Sequence, residues 1–576
     1  MSILILEELN AKSIELALNS NCTKLTFANG NPNLLYGKEE LENVPLGYLD
    51  SEASWDGWKI AEETVESLFS QIPEIFQLEG VDFRKAVVKA LWWNLFNTKG
   101  RLIRYARYFL EQNEEVFIHT SLELPKELKK EITLLRAEQR SALADKTKIL
   151  IKGVLYSLNK DTLTRPSSNS VPLKVSHTGG LVLFPTSVGQ IEFLSNLLKQ
   201  FNTDKVQACL GIVPVIDPAN KIISFLRELR IPLSTIPKKQ SSGNIKKIIR
   251  FTQKLISHSK KIKQIVGDKE GYAVEQTLLD FLPKVLRYKL VCRLLNPEVF
   301  LTNAAECSPT ADLLIQVAHL FGAKVVNTMN GLKTPSPKNN DTRFDAWCVW
   351  NEKQKRMLVE KNRAQAERLV VTGHLQADTA VNYKYQGILN PELEKCKGKK
   401  IIAIFSQPPV FSGSYREKFL YTVTNYIKNN NEVCGFFKPH PRETTQQLDI
   451  LKRYAKNEPR VILLEHNILR PITQLCDLLY VADLSVVMFS TVSLESLFFR
   501  TPVISLNYTG IPGLLPIVNG KYVLEATNEF EFKKYADELL DEENKNRIPE
   551  KEIEEIGLLD GKCTLRTATV IRNFLE

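Results

Sequence analysis

Gly435-Phe436-Phe437-Lys438-Pro439-His440-Pro441-Arg442-Glu443 and, further along, Val486-Val487-Met488-Phe489-Ser490-Thr491-Val492-Ser493-Leu494-Glu495 are the stretches from which the fold is read. Each is an apolar strand signal running into a polar turn. The second continues as a short amphipathic helix and a further strand, Pro502-Val503-Ile504-Ser505-Leu506. Strand, turn, helix and strand make the unit of a parallel sheet, and ligands of such sheets collect off the carboxyl ends of the strands. A helix start carries free N–H groups that suit a phosphate, and Ser490 and Thr491 bring two hydroxyls to it. His440 stands between two prolines that enforce extended backbone, with Lys438 and Arg442 beside it. The pattern predicts a site for a nucleotide-activated donor.

Outward from that site, the chain is long enough for several cores. Its 576 residues exceed the roughly 150 of an average domain, and 43% hydrophobic with 25% charged residues fits an ordinary globular protein. Nine cysteines are scattered as singletons from Cys22 to Cys563, without CxxC pairs or His/Cys clusters at metal spacing. This favours a reducing compartment and predicts no metal site. The N-terminal Met1-Ser2-Ile3-Leu4-Ile5-Leu6 lacks the basic flank and cleavage site of a signal peptide, and no apolar run reaches the roughly 18 residues of a membrane span. The expectation is a cytoplasmic protein.

The net charge of +10 is concentrated, since Ile231 to Lys263 holds many Lys and Arg but no Asp or Glu. Within 238–263, Ile245, Ile248, Ile249, Leu255 and Ile256 fall at near-helical spacing among lysines and Arg250. One reading is a helix on an anionic membrane surface, which would seat the protein at the inner face of the plasma membrane. The plainer reading is a solvated basic face on a core-packing helix. Nucleic acid is not expected, because aromatic interleaving and binding motifs are missing from the segment.

Three regions follow from the alternation of signals. Residues 1–160 form an N-terminal accessory region of mostly helical pattern, with Phe83 to Phe96 its clearest helix and Glu115 to His119 a strand. A Pro/Ser/Asn-rich connector, Thr164 to Pro172, precedes strand and helix signals over 175–385, and the alternation restarts over 398–576. Two successive α/β units argue for paired Rossmann-like domains facing a cleft. His440, Ser406 and Ser490 each follow an apolar strand candidate in the second unit and would line that crevice.

Each candidate has a plainer structural reading. Ser490 and Thr491 serve equally as helix caps. Glu495, one turn beyond Thr491 on the same face, either accepts hydrogen bonds from ribose hydroxyls or is a surface glutamate near a helix start. In the first unit Asn330-Gly331 follows a strand as a cleft loop or an ordinary turn. Val370-Val371-Thr372-Gly373-His374 ends another strand with a flexible glycine and a second imidazole. Glu192, Glu306 and Asp345 are candidate bases without a spacing partner.

Lys438-Pro439-His440-Pro441 followed by Phe489-Ser490-Thr491 resembles the His-Pro and paired-hydroxyl motifs of bacterial sialyltransferases and polysialyltransferases, GT-B enzymes that use CMP-sialic acid. The region from about 325 to 576, with its closing Leu559-Asp560-Gly561-Lys562, is also similar to CDP-glycerol glycerophosphotransferases of teichoic acid synthesis and, more distantly, to nucleotide-sugar 2-epimerases. The resemblance implies a metal-independent glycosyltransferase of capsule or lipopolysaccharide synthesis. It would move a sugar, sialic acid-like, from a CMP- or UDP-linked donor to a glycan or lipid-linked acceptor, with no cofactor. His440 would protonate the departing phosphate, Ser490 and Thr491 would bind it, and Glu495 would touch the nucleoside. Lys438, Arg442 and Ser406 would complete the donor side, and Asn330, Gly331, Gly373 and His374 the acceptor side. Two departures stand out. The acid-acid-glycine pattern that supplies the sialyltransferase base is absent, with Lys269-Glu270-Gly271 and Leu78-Glu79-Gly80 its nearest echoes. Asn330-Gly331 stands where the other two families carry His-Gly, and asparagine is no base. The alternatives are therefore a nucleotide-sugar 2-epimerase-like enzyme and a non-catalytic nucleotide-sugar-binding assembly module.

Overall fold

The computed structural model describes residues 2–575 apart from 20–23, 31–41, 44–49, 96–98, 121–123, 125–126, 137–177, 186, 203–204, 211–218, 236–241, 304–307, 330, 332–342, 407–412, 441–442, 466–469, 509–516, 519–521, 542–547, 549–552 and 554–556. Three parallel sheets organise the described residues, each begun by a central strand. The first runs β3-β2-β1-β4-β5, from β1 (Ser2–Leu9), β2 (Lys24–Gly30), β3 (Glu42–Asn43), β4 (Glu115–Thr120) and β5 (Thr133–Arg136). The second contains β6 (Leu181–Leu183), β7 (Val206–Leu210), β8 (Leu233–Thr235), β9 (Val299–Thr302), β10 (Lys324–Thr328), β11 (Ala346–Val349) and β12 (Leu369–Val371), in the order β8-β7-β6-β9-β10-β11-β12. The third is β15-β14-β13-β16-β17-β18, from β13 (Lys400–Phe405), β14 (Val433–Lys438), β15 (Val461–Leu463), β16 (Leu484–Val487), β17 (Val503–Leu506) and β18 (Val523–Ala526).

The second and third sheets are Rossmann-like. Their strands read as continuous apolar runs because helices cover both faces, and every residue of β6, β7, β16 and β17 is buried. In each the chain builds outward from the first strand, then returns to its other side, leaving switch points at β6/β9 and β13/β16. The architecture is thus GT-B-like, two Rossmann-like sets with an added N-terminal α/β region. In that region the sequence pattern predicts only β4. The strand β1 buries Ile3, Leu4, Ile5 and Leu6 completely, so its two-sided apolar run carries no alternation to mark it as a strand.

The N-terminal helices α1 (Asp50–Phe69) and α2 (Arg84–Leu95) lean on the middle of the chain: α1 packs on α4 (Ser242–Val266), and α2 on α5 (Asp268–Leu295) and α6 (Pro309–Leu320). Lys89 of α2 and Asp312 of α6 form a buried ion pair at 3.6 Å. The basic helix α4 buries Ile248, Phe251, Leu255 and Ile262 against protein. Lys247, Lys254 and Lys261, seven residues apart, clamp the segment after α1. They reach the Glu79 carboxylate at 2.8 Å, the Glu74 carbonyl at 3.2 Å and the Gln71 carbonyl at 3.1 Å. This is the core-packing arrangement, and it leaves the main apolar face of α4 covered by the chain itself. No helix among the described residues is long and apolar enough to cross a membrane.

Candidate functional site

The site is built at the carboxyl edge of the third sheet, around its switch point. β13 ends at Phe405 and delivers Ser406, which is buried and donates its hydroxyl to the Lys438 carbonyl at 3.4 Å. β14 ends at Lys438 and delivers Pro439 and His440; the half-buried His440 accepts at its carbonyl from the Glu443 N–H at 3.0 Å. Arg442 lies outside the described residues. β16 delivers Ser490 and Thr491 at the start of α11 (Val492–Phe498). The Ser490 hydroxyl accepts from the Val492 N–H at 3.3 Å, so it caps the helix, whereas the Thr491 hydroxyl makes no capping bond.

Two titrating groups in this edge are displaced toward neutrality. Burial pulls the Lys438 ammonium down to about 8, against the opposing pull of the Glu192 carboxylate, and its Nζ donates to the Gln474 side chain at 2.6 Å. Burial pushes the Glu495 carboxyl, on α11, up to about 7. The Glu495 carboxylate has no hydrogen-bond or ion-pair partner among the described residues. A carboxylate in such surroundings is costly to ionise unless a donor meets it.

The middle sheet reaches the same place through α10 (Pro471–Val481). This helix has Pro471 at its start and Arg470 before it, with no side-chain cap of its own. Glu192, on α3 (Val188–Leu198), fills that role: its carboxylate accepts from the Ile472 N–H at 2.8 Å, the Thr473 N–H at 3.0 Å and the Thr473 hydroxyl at 2.6 Å. The Cys476 thiol on α10 is held high by burial, then by the Glu495, Glu192 and Asp477 carboxylates, which therefore surround it from both halves. Glu192, read from sequence as a candidate base, is a cross-cleft helix cap. Asp345, another, is engaged by the Val325 N–H and His319, each at 2.8 Å, and Glu306 lies outside the described residues.

The acceptor-side expectations change. His374 is not an open imidazole: it is 1% exposed, its Nδ1 accepts from the Gln376 N–H at 3.1 Å, and Trp350, Phe193 and Phe498 enclose the ring at 4.3, 5.7 and 5.4 Å. Burial lowers its pKa to about 3, so it stays neutral and caps α7 (Leu375–Val381). Gly373 is a packing glycine rather than a flexible one. Its φ is +87°, and a Cβ there would stand 2.3 Å from the Cys563 sulfur of α12 (Cys563–Arg572). Gly331 is half-buried after β10, and Asn330 lies outside the described residues. Asp378, Asp560 and Cys563 lie within metal-binding reach of one another. Both oxygens of Asp378, however, cap α12 through the N–H groups of Cys563 and Thr564, and Arg566 pairs with Asp560.

Sequence reasoning missed Gln474 and the role of Glu192. The signal for the second was available in the uncapped Arg470-Pro471 start of α10, whose free N–H groups require an acceptor from elsewhere.

No family model matches the chain, and no curated protein matches it. Solved structures do. An S. aureus MnaA structure with UDP is 16% identical, with 69% of this chain and 97% of that one covered at a TM-score of 0.48. UDP-GlcNAc 2-epimerase from Neisseria meningitidis bound to UDP-GlcNAc is 13% identical, covering 69% and 99% at 0.45. The Methanocaldococcus jannaschii UDP-GlcNAc 2-epimerase with UDP-GlcNAc and UDP is 14% identical, covering 66% and 98% at 0.42. At these identities the likeness concerns architecture. The glycosyltransferase expectation is corrected: the similar solved structures include UDP-GlcNAc 2-epimerases, and their likeness to this chain is one of architecture.

Proposed function

We propose that this chain is a nucleotide-sugar-binding enzyme that acts on the sugar of its bound nucleotide, in the manner of a 2-epimerase. The reading assigns 398–576 to the nucleotide, 175–385 to the opposite wall, and 1–160 to an accessory role. The observation that carries it is Glu495: a half-buried carboxylate without a hydrogen-bond or ion-pair partner among the described residues, one turn along the helix that begins at Ser490 and Thr491, off the switch point of the third sheet. A ribose diol donates two hydrogen bonds to such a group. The Thr491 hydroxyl, the backbone at the start of α11, Lys438 and His440 then face the phosphates, with Arg442 a further cation by sequence. Epimerisation beside the anomeric carbon exchanges a C–H proton. Glu495 and Lys438 are groups at this edge whose charge the fold controls, and they are the candidates to handle that proton.

Calorimetry with UDP-GlcNAc, UDP and CMP tests the binding, and deuterium entry at the sugar C2 in D2O tests the chemistry. Binding that His440→Ala and Glu495→Gln weaken supports the reading; indifference to all three nucleotides removes it. A second reading has its own observation. In the resemblance read from the sequence, Asn330-Gly331 stands where His-Gly is expected, which favours a module that binds a nucleotide sugar and returns it unchanged. Tight binding without deuterium exchange would select that module.

A further inference from the structure

Resting on that reading of the cleft, we propose that the buried Arg416–Glu443 ion pair is the positioning device for His440. Arg416 stands in the first turns of α8 (Gly413–Asn429), and Glu443 directly before α9 (Thr445–Asn457). Their side chains are 5% and 0% exposed, with Arg416 Nη2 3.1 Å from Glu443 Oε1. The same Nη2 donates to the Gln447 carbonyl at 3.4 Å, inside the first turn of α9. Glu443 in turn donates its backbone N–H to the His440 carbonyl at 3.0 Å, tying the carboxylate's residue to the one that carries the imidazole. Thr444 and Gln447 fix the next residues by a reciprocal capping box. His440 is therefore held by β14 and Pro439 before it, and through its carbonyl by Glu443, whose carboxylate is anchored from a neighbouring helix.

Stability alone gives no reason for this pair. Burying two charges costs about as much as their attraction returns, and apolar residues of similar size commonly serve as well. Here Arg416 Nε and Glu443 Oε2 are both buried without a hydrogen-bond partner among the described residues, a further cost. One guanidinium nitrogen serves a carboxylate and a carbonyl together. What the arrangement supplies is a fixed direction for Glu443, and through its N–H a fixed place for His440. Arg416 and Glu443 act through His440 and touch no ligand themselves.

The test uses full-length protein with 13C-labelled histidine. The His440 signal is identified by its loss in His440→Gln, and its pH titration is followed without ligand. Arg416→Met/Glu443→Leu removes both charges and should melt close to wild type, yet shift or broaden the His440 signal and alter its titration. Arg416→Lys keeps the charge and should move the signal less. UDP affinity should fall about 5- to 10-fold in the double variant and show no further fall when His440→Ala is added. An unchanged His440 titration in both folded variants overturns the proposal. Failure of wild type to bind UDP overturns the nucleotide reading instead, while the ligand-free titration still decides the positioning role. If the double variant does not fold, Arg416→Lys alone decides by the same signal.

Discussion

Glu192 holds Thr473 twice, accepting its backbone N–H at 3.0 Å and its hydroxyl at 2.6 Å, so that a carboxylate from the middle sheet closes a helix of the third. The two halves of the molecule thereby share a helix cap. Glu192→Ala leaves the Ile472 and Thr473 N–H groups without acceptors in a half-buried place, and loss of a cap costs about 1–2 kcal/mol. Amide exchange across the start of α10 should accelerate by 5- to 30-fold. Glu192→Gln, which retains one acceptor oxygen, should fall between. Unchanged exchange at Ile472 and Thr473 in Glu192→Ala would remove the capping role.

Glu495 makes a prediction of opposite sign. Burial raises its carboxyl to about 7 in the folded chain, above the ordinary 4.5, so the folded state holds the proton more tightly. The associated stability is full below pH 4.5 and is lost as pH climbs to about 7. Glu495→Gln removes that slope and should stabilise the ligand-free protein above neutrality by on the order of 1–2 kcal/mol, discounted for partial exposure. The same change should weaken nucleotide binding. Denaturation at pH 5 and pH 8 checks it, and a variant no more stable than wild type at pH 8 contradicts the assignment.

Much of this edge was legible because its grammar is local. Apolar runs ending at Phe405, Lys438 and Val487 are strands buried on both faces, and the residues after them must lie at the carboxyl edge of the sheet. The expected helix from Phe83 to Phe96 forms as Arg84–Leu95. Contacts across the chain were not legible. Glu192 meets Thr473 across 281 positions, and Gly373 meets Cys563 only because α12 returns to the middle sheet. His374 after a strand and a glycine reads like His440 after a strand and a proline. Only the three surrounding rings, which no local motif announces, show that His374 is a capped, neutral imidazole.

Gly373 tests that return. Its φ of +87° disfavours any side chain, and a Cβ would overlap the Cys563 sulfur at 2.3 Å. Gly373→Ala should cost at least ~2 kcal/mol, from backbone strain and overpacking together. Gly373→Ala/Cys563→Ala should recover the steric part and keep the strain. Equal stability of the single variant and wild type would mean that α12 does not pack so closely on this turn.

Lys438 links the site to protons. Its folded pKa of about 8 lies below the ordinary 10.5, so ligand-free protein is penalised at and below pH 8 and relieved as pH rises from 8 to 10.5. Phosphate oxygens brought near the ammonium favour its charged form and raise that pKa again. Nucleotide binding at pH 8.5 should therefore take up a fraction of a proton. Calorimetry in two buffers of different ionisation enthalpy reads the uptake directly, as an observed enthalpy that differs between them. His440→Gln should keep the difference, and Lys438→Met should abolish it while lowering affinity about 10-fold, the loss of one charge-assisted contact. Gln474→Leu removes the protein's own acceptor at 2.6 Å from the ammonium, which should push the ligand-free pKa lower and enlarge the uptake. Identical enthalpies in both buffers for wild type would place the phosphates away from Lys438, and would leave its buried ammonium serving only Gln474.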